Sequence, residues 1–543
     1  MSPKWSVVFL SILVLLLCLS GVALGAPVQQ DGLEPIENLP YSVGRQDDVM
    51  HPLGKQLRAR RQIALQQRLQ GIGSGAIQQL GPGEYVELAL EKEDKIFTIL
   101  SEFGNNVNPV TGGKRGPRHN EIPEPDRSVN NWALWVPDFS RAYYENLLFS
   151  DAPGASSVRN YYLEQSSGVY TVDGDVSDWV RVPYNASRYG SNLCGGGDCG
   201  ADVWLFLRHS ANAWFNNQRD AGMSTAQINA YLGQFDVWDR YDYDGDGNFD
   251  EPDGYIDHFQ AVHAGMGEDA GGGEQGSDAI WSHRWYAYVN MIGSDGPAFN
   301  PAGGTRIGNS NYWIGDYTIE GENGGVGVFA HEFGHDLGLP DLYDTSGGDN
   351  STGFWTLMSV GSWLDDGQDS IGNKPGHMGN WEKFQLGWLD YEVASAGERS
   401  LHRLNPAEYQ SNHAQGLFVL LPDKEVVLDL GDPYAGEHFY YSGNGNDLDN
   451  RMVREFDLPA NATLTAQVRY EIELDWDYAY VVASNDGGAT WTNLETNLST
   501  DANPNGQNEG HGITGSSGGN WVQVTADLSS FSGPTLLGFR YWT

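Results

Sequence analysis

The stretch Val328-Phe-Ala-His-Glu-Phe-Gly-His-Asp-Leu-Gly-Leu-Pro-Asp-Leu-Tyr-Asp344 decides how the chain is read. Residues 325–337 have helical periodicity, and His331 and His335, four apart, fall on one face of such a helix. Two ring nitrogens so placed suit one zinc ion. Glu332 then stands where a base can take a proton from water at the metal and pass it to a leaving amine. Gly338 stops the helix, Pro340 keeps it from restarting, and Asp341 follows. A glycine there lets the backbone turn sharply, so that a residue three further on returns to the metal. Asp341 is the favoured third ligand over its neighbour Asp344, and over Glu382, which a distant-glutamate architecture would use. Downstream, Trp355-Thr-Leu-Met-Ser359 offers a methionine-bearing turn to lie beneath the metal. A His-Glu-x-x-His string alone would equally describe a surface pair of histidines. The glycine, the carboxylate and the methionine turn weigh against that reading.

A second motif lies in Asp242-Tyr-Asp-Gly-Asp-Gly-Asn-Phe-Asp-Glu-Pro-Asp253. Oxygen ligands at positions 1, 3 and 5 (Asp242, Asp244, Asp246), glycine at 6 and a carboxylate at 12 (Asp253) follow the twelve-residue calcium loop, with Asn248 contributing its backbone carbonyl. The last carboxylate is Asp rather than Glu, and Pro252 argues against a standard exiting helix. The spacing therefore predicts a structural calcium site rather than a sensor, with Asp257 as a candidate extra ligand; a plain acidic turn is the bland alternative.

Around these motifs the chain reads as a mixed α/β (α+β), zincin-like catalytic domain over 86–393. Residues 95–100 predict a first strand, and 139–149, 157–165 and 202–218 predict helices. His283 is a candidate for the cleft wall, although a satisfied structural histidine is the simpler expectation. From 394 to 543 the texture changes to short alternating segments, strand-like at 417–421, 426–430, 465–470 and 478–483, which predict an all-β sandwich. The strand-like ending at 539–543 reads as a domain that is truncated.

The N-terminus has the form of an export signal over residues 1–25: Lys4, then an apolar run too short to span a membrane, then small residues before Ala26. Residues 26–85 carry a basic helical pattern with Arg58-Ala-Arg-Arg61 and a Gly-rich break, and predict a propeptide, hence a zymogen. This segment has no cysteine, so latency through a cysteine on zinc is excluded. Cys194 and Cys199 predict a small local disulfide in an exported protein. A formal net charge of −41 makes nucleic acid and anionic membrane unsuitable partners.

The quoted active segment, with Trp355-Thr-Leu-Met-Ser359, Leu386-Gly-Trp-Leu389, Tyr161-Tyr-Leu-Glu-Gln-Ser166 and Ile280-Trp-Ser-His283, resembles the immune inhibitor A family of secreted bacterial metalloproteases. Glu473-Leu-Asp-Trp-Asp-Tyr-Ala-Tyr480, followed by Asp486-Gly-Gly488 and Trp491, resembles the β-rich region after the protease in that family. The resemblance implies a pre-pro-protease that cleaves protein substrates outside the cell. Two competing readings remain from sequence: an exported calcium-stabilised binding or adhesion protein, and a zinc hydrolase acting on a non-peptide substrate.

Overall fold

The computed structural model describes residues 51–543 apart from 131, 192–199, 346–349, 368–371, 423, 446–447, 489 and 505–506. The expected signal segment, residues 26–50 of the expected propeptide, and Cys194 and Cys199 lie outside the described residues. The chain separates into a unit ending at Asp423 and a C-terminal unit, Lys424–Thr543.

The larger unit is built on a sheet of β1 (Glu93–Glu102), β2 (Thr171–Val176), β3 (His258–His263), β4 (His283–Tyr286) and β5 (Asp316–Gly321), in the order β2-β1-β3-β5-β4. Its pairings are parallel except for β4, which runs antiparallel to β5 at the edge. Both faces are covered, and β1 shows how. Ile96 and Leu100 point to one core, shared with α2 (Arg141–Phe149), α3 (Val158–Gln165) and the helix Val326–Asp336. Phe97 and Ile99 point to a second core, packed under the helix Gly200–Asp220. Alternate residues of a strand face opposite ways, so a strand covered on both sides reads as a continuous apolar run. We call Gly200–Asp220 α4 and Val326–Asp336 α5. The predicted strand and helices over 95–218 all form, with bounds shifted by a few residues at most.

Ahead of the sheet, α1 (Pro52–Leu69) is docked by polar side chains placed deep in the unit. His51 is 2% exposed; its Nδ1 caps the helix at the Gly54 N–H, and its Nε2 faces Asp316 Oδ1 at 3.4 Å. The guanidinium of Arg61, 8% exposed, donates to the carbonyls of Glu87 (2.7 Å) and Gln385 (2.9 Å). Arg58 Nη2 reaches the carbonyl of Leu339 at 3.4 Å. The segment Tyr391–Ser395 pairs in parallel with Gly416–Leu420, which keeps the chain within the larger unit beyond residue 394.

The C-terminal unit is all β. One sheet is β6 (Asp449–Leu458), β11 (Gly533–Trp542), β8 (Tyr478–Ser484) and β9 (Thr492–Asn493), antiparallel in that order. A second sheet pairs β7 (Thr463–Val468) with β10 (Val522–Asp527). The two share a core in which Val481, Ala483 and Leu537 of the first meet Val524 and Ala526 of the second. This is the expected two-sheet, β-rich architecture. The expected strand at 426–430 does not form. Val427 is 86% exposed there, so the apolar run has no sheet to bury against. No helix among the described residues is long and apolar enough to cross a membrane.

Arg61→Ala removes the buried donor that the carbonyls of Glu87 and Gln385 share, and it should lower unfolding free energy by about 3 kcal/mol. Arg61→Lys should recover only part of that, because an ammonium lacks the planar fork. Denaturant unfolding in a Glu332→Gln background, which prevents self-digestion, measures both.

Candidate metal centre

α5 is buried along its whole length. Such a helix needs apolar residues on every side and small ones where neighbours come close. Gly334, between the two histidines, is one such place: a Cβ there would meet Met358 Sδ at 2.6 Å. Met358 is fully buried and lies directly against the α5 backbone, as the methionine turn requires. Gly338 has φ +100°, a conformation that favours glycine, and the helix ends there.

The turn brings three side chains together. Nε2 of His331 and Nε2 of His335 are 3.1 Å apart, and Asp341 Oδ1 lies 3.2 Å from the second and 3.5 Å from the first. All three donor atoms fall within 4.8 Å of one another. Both rings are oriented from behind: Nδ1 of His331 faces the carbonyl of Leu357 at 2.9 Å, and Nδ1 of His335 faces that of Leu339 at 2.8 Å. A carbonyl can only accept, so each Nδ1 carries the proton and each Nε2 presents a lone pair. Asp341 Oδ1 is buried and has no hydrogen-bond partner. Two imidazole nitrogens and a carboxylate oxygen form a donor set that suits zinc, and the side chains present fit the ion. Glu332 sits beside His331 on α5, 2% exposed.

The two backbone segments around this cluster are stitched together. The Leu342 N–H donates to the Met358 carbonyl at 2.7 Å, so the residue after Asp341 is tied to the methionine turn that also orients His331. Glu382 lies outside the cluster. Its carboxylate accepts from the backbone N–H of Met358 (3.4 Å) and from that of Gly379, and burial raises its pKa to about 7. Asp344 is likewise outside the cluster. His283 is held between the Trp281 carbonyl (2.7 Å) and Tyr317 Oη (2.9 Å), a buried structural position on β4.

Behind α5 lies a buried charge network with no local motif to announce it. Asp336 receives Arg240 Nη1 at 2.9 Å and the Nδ1 of His258, whose Nε2 lies 3.2 Å from Asp94 Oδ2. Burial disfavours the charge on each group. Even so, Asp94 and Asp336 raise His258 to about 9, and Arg240 and His258 hold Asp336 down at about 2. The network pins the end of the helix that carries His335.

The acidic loop is distributed differently from the twelve-residue pattern. Asp242 and Asp244 converge with Asp239, and Asp244 and Asp246 converge with Glu251. The Asn248 side-chain amide donates to Glu251 at 2.8 Å. Asp253 is 5% exposed and lies outside both groups; it accepts the Tyr255 N–H at 2.9 Å. Burial, with Asp236, Asp239 and Asp257 nearby, pushes its pKa well up. Asp257 accepts the N–H groups of Val237 and Trp238. Asp239 is fully buried; its Oδ2 takes the Tyr243 N–H at 2.9 Å, and its Oδ1 has no hydrogen-bond partner. Sequence reasoning missed Asp239 and Glu251, because one precedes the motif and the other sits at a position the motif does not use.

A mixed sheet carrying a buried His-Glu-x-x-His helix, with a carboxylate returned to it and a methionine packed against it, is the architecture of a metallopeptidase catalytic domain. The chain belongs to the immune inhibitor A peptidase M6 family: the model for “Immune inhibitor A peptidase M6, catalytic domain” matches residues 83–389. That for “Immune inhibitor A-like, MAM domain” matches residues 400–543. Immune inhibitor A of Bacillus thuringiensis subsp. alesti is 34% identical over 481 residues, which cover 83% of this chain and 63% of that protein. The pre-pro-metalloprotease PrtV of Vibrio cholerae serotype O1 is 35% identical over 479 residues, covering 84% of this chain and 48% of that protein. The chain thus spans less than two thirds of the length of either curated relative.

Arg240→Met should lower unfolding free energy by about 3–5 kcal/mol, because Asp336 and Asp316 would stay buried beside one fewer cation. Denaturant unfolding of the Glu332→Gln protein with and without the change measures this.

Proposed function

We propose that this chain is a secreted zinc-dependent endopeptidase acting on extracellular proteins, made with a signal over 1–25 and a propeptide over 26–85. The observation that carries the reading is the convergence of His331 Nε2, His335 Nε2 and Asp341 Oδ1 beside Glu332 on a buried helix. The relatives named as a metalloprotease and as immune inhibitor A support it, and the catalytic-domain match beginning at residue 83 agrees with a pro-segment ahead of it.

His331, His335 and Asp341 would hold the zinc. When bound, the ion supplies Lewis acidity toward a water molecule and the scissile carbonyl. The rest of the chemistry belongs to the chain. Glu332 takes the proton of the attacking water and returns it to the departing amine. The carbonyls of Leu357 and Leu339 keep both imidazoles in the tautomer that leaves Nε2 without a proton. Glu382, through the Met358 N–H, steadies the methionine turn beneath them.

The acidic loop is proposed to hold a structural calcium ion through Asp239, Asp242 and Asp244, with Asp246 and Asn248 shaping the turn. Asp246 takes the Asn248 N–H at 2.7 Å. The support is the close grouping of these carboxylates together with the unpartnered, buried Asp239 Oδ1, since hard oxygen ligands of this kind suit calcium. Asp253 would then act through its burial against Asp236 and Asp257 rather than as a ligand.

Casein hydrolysis by protein freed of its N-terminal segment tests the enzyme reading, with zinc content measured alongside. The parent should cleave, and Glu332→Gln should keep its zinc while slowing by about 10²–10⁴-fold. Asp341→Ala should lose zinc. A zinc-loaded parent that leaves casein intact would instead favour a binding or adhesion protein. For the loop, millimolar calcium should raise the melting temperature of the parent by several degrees, on the order of what a ligand well above its Kd provides, and should leave Asp239→Asn unmoved. Equal shifts in both proteins would remove Asp239 from the site.

A further inference from the structure

In the C-terminal unit, the face of the four-stranded sheet turned away from the core holds a cavity of about 420 Å³ that the peptidase chemistry does not use. It arises from the alternation of β8. Val481 and Ala483 point into the core, so Tyr478, Tyr480 and Val482 point outward, yet none of these three is more than 1% exposed. Glu509 and Gly512 cover the two tyrosines: the Glu509 N–H donates to Tyr480 Oη at 3.0 Å, and Gly512 lies against the ring of Tyr478. Val482 lines the cavity together with Glu509, Gly510 and His511. Beside Val482 in register is Gly538 of β11. Its neighbours Leu537 and Phe539 face the core, and a Cβ at Gly538 would meet the Met452 carbonyl oxygen at 2.4 Å, so the close approach of the strands admits only glycine there.

The walls are polar around one indole. Trp491 lines one side, and the Arg451 guanidinium stands 5.9 Å from its ring centroid. Asn493 Nδ2 donates to the carbonyls of Glu509 (3.3 Å) and Gly510 (3.2 Å), which fixes the amide in the wall. Arg540 donates to Asp449 at 2.7 Å and also to Glu509, and Arg451 pairs with Asp449 at 3.2 Å. Two guanidinium groups are thus balanced by two carboxylates, and the polar groups are held in place before any ligand arrives.

We propose that this cavity binds a neutral saccharide, one or two sugar rings at the end of a glycan. Fixed carboxylate, amide and guanidinium groups offer the paired donors and acceptors that vicinal hydroxyls need, and an indole offers a flat apolar wall for the C–H face of a ring. The volume falls within the ordinary range of small-ligand pockets, roughly 300–1,000 Å³. An anionic sugar is disfavoured, because both guanidinium groups already have carboxylate partners and the chain carries a net charge of −41. The site would hold the chain against glycosylated surfaces, and it stands whether or not the peptidase reading does.

Isothermal titration of the full chain carrying Glu332→Gln, with galactose, mannose, N-acetylglucosamine, lactose, cellobiose, maltose and glucuronate, tests the proposal. At least one neutral sugar should bind saturably. Trp491→Ala and, separately, Asn493→Ala should each weaken it about tenfold, a loss of roughly 1.4 kcal/mol, with the melting temperature checking that each variant is folded. Absence of binding by every neutral sugar, preference for glucuronate, or binding indifferent to both substitutions would overturn it.

Discussion

Two imidazole nitrogens face each other at 3.1 Å inside a helix with no exposed residue, and a buried carboxylate oxygen stands 3.2 Å from one of them. Each ring is turned that way because its other nitrogen gives its proton to a backbone carbonyl. Converging lone pairs in a place sheltered from water are unfavourable by themselves and favourable around a cation. Most of what surrounds α5 serves to hold that convergence. The Leu357 and Leu339 carbonyls aim the rings, Gly334 admits Met358 beneath them, and Gly338 turns the chain so that Asp341 returns.

The rigidity of the site comes from elements distant in sequence. Asp336, one residue past His335, is clamped by Arg240 and His258, and His258 reaches Asp94 on β1. The sheet and the helix are therefore joined by charge as well as by the apolar core. On the other side, α1 contributes Arg58 to the Leu339 carbonyl, the same oxygen that orients His335. The N-terminal segment thus reaches the backbone oxygen that orients His335.

What could be read from the sequence follows the range of the interactions involved. Helical spacing is local, so the pairing of His331 with His335, the adjacency of Glu332 and the return of Asp341 after Gly338 were legible, and the structure brings these residues together. The same holds for the helices and for the strand at 93–102. Cooperation across the chain was not legible. Nothing in the spacing of Asp94, Arg240, His258 and Asp336 shows that they meet. Glu382, the alternative to Asp341 that a distant-glutamate architecture would use, turns to backbone N–H groups. The acidic loop was legible as an acidic loop, while its grouping depends on Asp239, outside the motif, and on Asp253 turning inward. The apolar run at 426–430 carried a strand's composition without a partner strand, and composition cannot supply one.

The peptidase chemistry depends on which three side chains share one metal ion. An anomalous difference map, recorded on either side of the zinc absorption edge from crystals of the Glu332→Gln protein grown with zinc, addresses it directly. A single strong peak bounded by His331 Nε2, His335 Nε2 and Asp341 is the expected result. A peak ligated by Glu382 or Asp344 in place of Asp341, or no peak between the two histidines, would contradict it.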